Sequence, residues 1–204
     1  MGNRIIIFVI ALSIISCSDS DTIRKELPSG MKEVYQVQKK SGEKSGIYRL
    51  YYPDGNLFEE SDYRQGKLNG QRILYYPSGK KEILESYQND TITGTYQMFH
   101  ENGSLKLKGA YKNGVMTGIW KAFYESGALK EEVAFSDNLE NGPFIEYYKD
   151  GTLKAKGNYI NGENEDGILF LYDSSGDVSR VMMCDSGICR TQWTPDSTFA
   201  MPSK

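Results

Sequence analysis

The sequence predicts an all-β fold, an elongated antiparallel meander of tandem 24-residue β-hairpin repeats. Three observations predict it. Glycine recurs at Gly46, Gly70, Gly94, Gly118, Gly142 and Gly167, separated by 24, 24, 24, 24 and 25 residues. A second glycine register at Gly55, Gly79, Gly103, Gly127, Gly151 and Gly176 keeps that spacing, each glycine closing a turn such as Pro53-Asp54-Gly55 or Glu125-Ser126-Gly127, where glycine takes a positive φ that other residues resist. A third register reads Gln65-Gly66, Asn89-Asp90, Asn113-Gly114, Asp137-Asn138, Asn161-Gly162 and Asp185-Ser186, and Asn-Gly is the strongest short hairpin signal. Between turns only about eight residues remain, a length that suits a strand and falls short of a helix.

The elements follow in chain order. Over residues 1–17, Arg4 carries the only charge before an apolar run from Ile5 to Leu12 that continues past Ser13 to Ile15. That run is too short for a retained span and reads as a signal-peptide core. It ends Ile14-Ile15-Ser16-Cys17 and resembles the bacterial lipobox. The resemblance implies a lipidated Cys17 that becomes the first mature residue, and several acyl chains anchor where one does not. An ordinary cleaved signal peptide or an uncleaved anchor is the alternative. The expected address is the bacterial cell envelope, as an outer-membrane lipoprotein facing the periplasm or the surface.

Residues 18–27 open with Ser18, Asp19, Ser20 and Asp21 and are expected to be a flexible acidic tether, because so few apolar side chains build no core. The acidic tract also resembles an export signal of surface lipoproteins, with plain solvated linker as the alternative. Residues 28–45 contain Pro28-Ser29-Gly30, Tyr35 and Gly42 and read as a degenerate half repeat. Residues 46–189 hold six hairpin repeats, and 190–204 a C-terminal tail. On the first strand of each repeat one column reads Tyr51, Tyr75, Phe99, Phe123, Tyr147, Tyr172, and another Tyr48, Arg72, Tyr96, Trp120, Phe144, Leu169. Rings recurring on neighbouring strands are what cross-strand pairing uses. The columns lie an odd three residues apart, so either a bulge intervenes or both faces carry rings. Arg72 and Lys81 depart from mainly apolar columns and are expected to expose part of the second copy.

The pattern Gly-x-aromatic-x-x-aromatic-aromatic, a Gly turn, Leu, then Tyr and an Asn-Gly turn resembles the bacterial variant of the MORN repeat, a family whose members often carry an antitoxin label. The resemblance covers Gly46 to about Cys189. It implies a twisted meander, contact with a partner or a membrane, and no catalytic residues.

Repeat arrays need caps at their ends. Cys184 and Cys189 flank Asp185-Ser186-Gly187, a spacing that a disulfide can close in an exported protein. Free buried thiols and a metal or redox role remain as alternatives. Two thiols alone make a poor zinc site, and no metal or other cofactor is expected. The chain has 24 Lys and Arg against 27 Asp and Glu and one histidine, which leaves no basic field for nucleic acid and removes chemistry that needs paired histidines. His100 falls in the column Tyr52, Tyr76, His100, Tyr124, Tyr148, Asp173 and reads as one more ring, and Glu59-Glu60 and Glu131-Glu132 read as solvated strand surface. The expectation is a non-enzymatic, lipid-anchored scaffold that binds a protein partner. Its candidate binding face is Tyr48, Tyr96, Trp120 and Phe144, since aromatic residues dominate interface hot spots. Carbohydrate or cell-wall binding through the aromatic row is the alternative.

Overall fold

The computed structural model describes residues 19–202, so the expected signal peptide and Cys17 lie outside the described residues. The chain opens with β1 (Ser20–Glu26), β2 (Lys32–Gln38), β3 (Gly46–Tyr51) and β4 (Leu57–Arg64). The middle holds β5 (Lys67–Tyr75), β6 (Lys81–Gln88), the two-residue β7 (Thr91–Ile92), β8 (Gly94–Phe99), β9 (Leu105–Lys112) and β10 (Val115–Phe123). It closes with β11 (Leu129–Ser136), β12 (Leu139–Tyr147), β13 (Leu153–Ile160), β14 (Asn164–Tyr172), β15 (Val178–Asp185) and β16 (Ile188–Trp193). One sheet contains them all. Strand order is sequence order, with β7 a short spur on β6. The fold is therefore an all-β open meander of successive hairpins.

Two turns build each repeat. The turn at Gly127 has φ 87°, and its amide donates to the Tyr124 carbonyl at 2.8 Å. The next turn sets two successive residues at positive φ, Asn113 at 52° and Gly114 at 85°, the primed geometry whose twist matches the flanking strands. In the last copy that turn falls at Ser186 and Gly187, with φ 49° and 88°, and not at Asp185-Ser186. The extra residue before Gly167 shifts every later register by one, and Asp185 pairs with Ile188 inside the ladder.

The bulge question resolves at the first turn of each repeat. Ala122 pairs with Glu131 and Phe123 with Leu129, which leaves Lys130 as the extra residue of the second strand. The same shift occurs at Leu50/Tyr51 and Met98/Phe99. Between the two columns the first strand runs unbroken, with its own irregularity lying earlier, between Thr117 and Lys121 against the preceding strand, so alternation puts the Tyr48 and Tyr51 columns on opposite faces. A bulge is present and both faces carry rings.

The expected flexible tether at 18–27 is corrected. Ser20–Glu26 pairs residue for residue with Lys32–Gln38, joined through a turn in which the Gly30 amide donates to the Leu27 carbonyl at 2.9 Å. Backbone pairing holds this strand although only Ile23 in it is aliphatic, and the half repeat at 28–45 becomes the second strand of a complete hairpin. The tail is ordered at its start as well. Trp193 pairs with Val181, which is 1% exposed, and the Trp193 indole donates to the Phe199 carbonyl at 3.2 Å.

Candidate binding surface

A row of side chains crosses one face of the sheet from strand to strand. Pairing sets Tyr48 opposite Ser61, Ser61 opposite Arg72, Arg72 opposite Glu85, and Tyr96 opposite Gly109. It then sets Trp120 opposite Val133, Val133 opposite Phe144, and Phe144 opposite Gly157. Apart from Glu85, which faces Arg72, the second-strand partners are smaller than the first-strand residues they oppose, the size alternation that lets neighbouring rings share one layer. Gly109 shows the need for it: a Cβ there would sit 2.1 Å from Trp120 Cδ2. Trp120 packs edge-on to Tyr111 at 5.3 Å and lies 5.6 Å from Tyr96 and 5.9 Å from Phe135, within the range where aromatic pairs add to plain burial. Phe144 stacks on Tyr159 at 4.1 Å.

This row is core, and the candidate binding face is corrected accordingly. Trp120 and Phe144 are each 3% exposed, and Tyr48 is buried with them. Tyr96 is half-buried; burial, helped by the Glu85 carboxylate, pushes its hydroxyl up to about 12. A single sheet has no second layer to cover this face, so the rings cover one another. The second copy does the same with charge. Arg72 donates through Nε and Nη2 to both oxygens of Glu59, at 3.0 and 3.3 Å, and through Nη1 to Glu85 at 3.3 Å. Tyr87 donates to the same Glu85 oxygen at 3.0 Å. Desolvation works against the charged guanidinium, yet its bonds to Glu59 hold its pKa above the ordinary arginine value. Arg72 therefore substitutes for a ring inside the row, with its side chain 29% exposed.

The Tyr51 column lies on the opposite face, where Tyr51, Tyr75, Phe99, Phe123, Tyr147 and Tyr172 are all half-buried. Beside it stand exposed Ile47 and Ile119, and Lys156 Nζ lies 5.0 Å from the Phe170 ring and 5.8 Å from that of Tyr172. The adjacent acidic pairs split between the faces. Glu60 bonds Arg49 at 2.7 Å and Glu132 bonds Lys121 at 2.6 Å on this face, whereas Glu59 and Glu131 face the row. Neither pair can act on one bond.

The His100 column performs a task that the sequence did not reveal. Tyr52, Tyr76, Tyr124 and Tyr148 each donate a hydroxyl hydrogen bond to a backbone carbonyl of the next repeat, at Tyr75, Phe99, Tyr147 and Tyr172 respectively. His100 Nε2 meets the Phe123 carbonyl at 3.1 Å. In the sixth copy this column holds Asp173, which accepts from the amides of Ser175 and Asp177 in its own turn.

Between the third and fourth hairpins the row face opens into a cleft of about 550 Å³ floored by Met98, Leu107 and Ala122 and rimmed by Lys106, Lys130 and Lys149. Its cause is visible in one column, Leu50, Leu74, Met98, Ala122, Glu146, Leu171, whose smallest member is Ala122. Sequence reasoning missed it, although that column carried the signal.

The remaining site residues divide simply. Cys184 and Cys189 face each other across β15 and β16 and are joined by a disulfide, with Cα atoms 4.0 Å apart. Cys184 also belongs to a core cluster with Val133, Phe144, Ala155 and Leu169. Cys17 is outside the described residues.

A family model described as the MORN repeat variant matches residues 44–65, 68–89, 92–113, 116–137 and 140–161, five tandem segments that together cover more than half of the chain. The sixth hairpin, which carries the insertion and the disulfide, falls outside those segments. No curated protein matches the chain. The 24-residue period, the paired turns and the matched segments agree: the chain belongs to the MORN repeat variant family.

Proposed function

We propose that this protein is a non-enzymatic, lipid-anchored scaffold of the bacterial envelope whose repeat sheet binds a protein partner. The observation that carries the reading is the half-buried ring column at Tyr51, Tyr75, Phe99, Phe123, Tyr147 and Tyr172, bordered by exposed Ile47 and Ile119. Aromatic residues with a flat apolar body are enriched in protein interfaces, and contiguous exposed apolar surface marks interaction sites. The anchor is Cys17, after the apolar run that ends at Ile15, and the antitoxin label of similar proteins suggests a toxin or secreted effector as the partner. Affinity capture from intact envelope with the full chain tests this. Recovery of one defined protein, lost when Phe99 and Phe123 are both changed to Ser, supports the reading; retention on peptidoglycan or glycan with no protein favours carbohydrate binding through the same rings. The anchor has its own test. Cys17→Ala should move the protein from the detergent to the aqueous phase or leave an unprocessed precursor, and unchanged partition of a processed variant would sink the lipoprotein reading.

A further inference from the structure

We infer that the cleft between the third and fourth hairpins binds a small amphiphilic carboxylate, an anion carried on an alkyl or aryl body. The inference does not depend on the scaffold reading, because it concerns the other face of the sheet. Its first support is shape. Met98, Leu107 and Ala122 give an apolar floor, and the cleft of about 550 Å³ falls within the range of small-ligand sites, roughly 300 to 1,000 Å³.

Charge is the second support. Lys106, Lys130 and Lys149 at the rim are exposed, and none of them is in an ion pair among the described residues, whereas Lys121 and Lys154 are each bonded to a glutamate. Glu125 is the one carboxylate lining the cleft. Lys106 and Lys130 are the extra residues of the two bulges, and a bulge re-aims the side chain that it displaces; here both lysines border a cavity on the row face. Three ammonium groups around one apolar floor, in a chain of net charge -3, make a local anion site and no wide basic field, so a small ligand fits better than a membrane or a nucleic acid.

The third support is a recess of about 160 Å³ that shares Leu107 and Ala122 with the cleft and is lined by Met116, Trp120, Val133 and Phe135, with Glu131 and Glu140, whose pKa values burial raises, also in its wall. Trp120 Nε1 is the buried side-chain polar atom without a partner among the described residues. The apolar body of the ligand would lie on Ala122 against Met98 and Leu107, at the mouth of this recess and short of Glu131 and Glu140, while the carboxylate meets the lysines.

The test uses the full chain with octanoate as probe and with methyl octanoate and octylammonium as charge controls. Octanoate should bind saturably and shift the methyl resonances of Met98 and Ala122 and the indole N–H of Trp120, with both controls weaker by at least about tenfold. Ala122→Leu installs the residue that this column carries at 50 and 74 and should weaken octanoate by about tenfold or more. Should that variant fail to fold, Lys106→Gln/Lys130→Gln changes only exposed side chains and should remove the preference for octanoate over its ester. Absence of saturable octanoate binding, equal affinity for the ester, or shifts confined to residues outside the cleft would each overturn the inference.

Discussion

Cutting Trp120 to alanine should destabilise the array strongly, and the size of the effect follows from its surroundings. The ring is 3% exposed, touches three other rings and lies over Gly109. Truncating a buried tryptophan costs about 3 to 5 kcal/mol. Removing the unpartnered indole N–H returns part of the roughly 1 to 3 kcal/mol that a buried orphan donor costs, so Trp120→Phe should cost much less than Trp120→Ala. Gly109 supplies the decisive comparison. It does not carry a positive φ, so Gly109→Ala acts through contact alone, driving a Cβ to 2.1 Å from the ring at an overpacking cost of about 1 to 3 kcal/mol. With Trp120 already alanine that contact is gone. The double variant should therefore be no less stable than Trp120→Ala, a coupling of at least about 1 kcal/mol where independent sites add within about 0.5. Urea unfolding read by circular dichroism, with hydrogen exchange on the third and fourth hairpins, measures the unsubstituted protein and all four variants. Additive losses, or a Trp120→Ala cost below about 1 kcal/mol, would refute the packing of this ring in the row.

Gly127→Val should cost at least about 1 to 2 kcal/mol through backbone strain, because φ there is 87° and a Cβ added at that position would meet no atom within 4 Å; protection should fall around hairpins four and five, and uniform protection across the array would contradict the turn assignment. Burial and the neighbouring Glu146 carboxylate raise the Glu131 pKa, so the folded chain holds that proton above the pH at which the unfolded chain releases it, and stability falls as pH rises through the interval above the ordinary carboxylate pKa. Glu131→Gln should remove that slope and be the more stable protein at neutral pH; an unchanged pH profile of the melting midpoint would refute it. Reducing the Cys184–Cys189 bond should remove at most about 2 kcal/mol, since the loop it closes is short, with extra exchange confined to β15 and β16; collapse of the whole sheet on reduction would be the contrary result.

Periodicity carried most of the fold. Strand length, turn position and the meander were legible because each 24-residue copy repeats the same turn chemistry, so a weak local signal was read six times. Facing was not legible, because the three-residue offset between Tyr48 and Tyr51 has no meaning until the bulge is assigned to one strand or the other. That assignment decided whether Trp120 was a contact residue or core. The strand Ser20–Glu26 was missed for a different reason. Its composition is that of a linker, but Pro28-Ser29-Gly30 is a hairpin turn, and a turn needs a strand on both sides; the seven residues before it were the only ones that could supply it. The Ala122 cleft escaped notice since a small residue in one copy looks like noise unless the column is read as a packing position.

Protein binding by the sheet is tested most directly by photo-crosslinking in the intact envelope. A crosslinking phenylalanine analogue would replace Phe99 or Phe123 on the half-buried ring column, and Tyr96 on the row face as a control. A scaffold that binds through the ring column should give one defined protein adduct from Phe99 and Phe123 and none from Tyr96. Adducts to glycan alone, or a protein adduct from Tyr96 with none from Phe99 or Phe123, would contradict it.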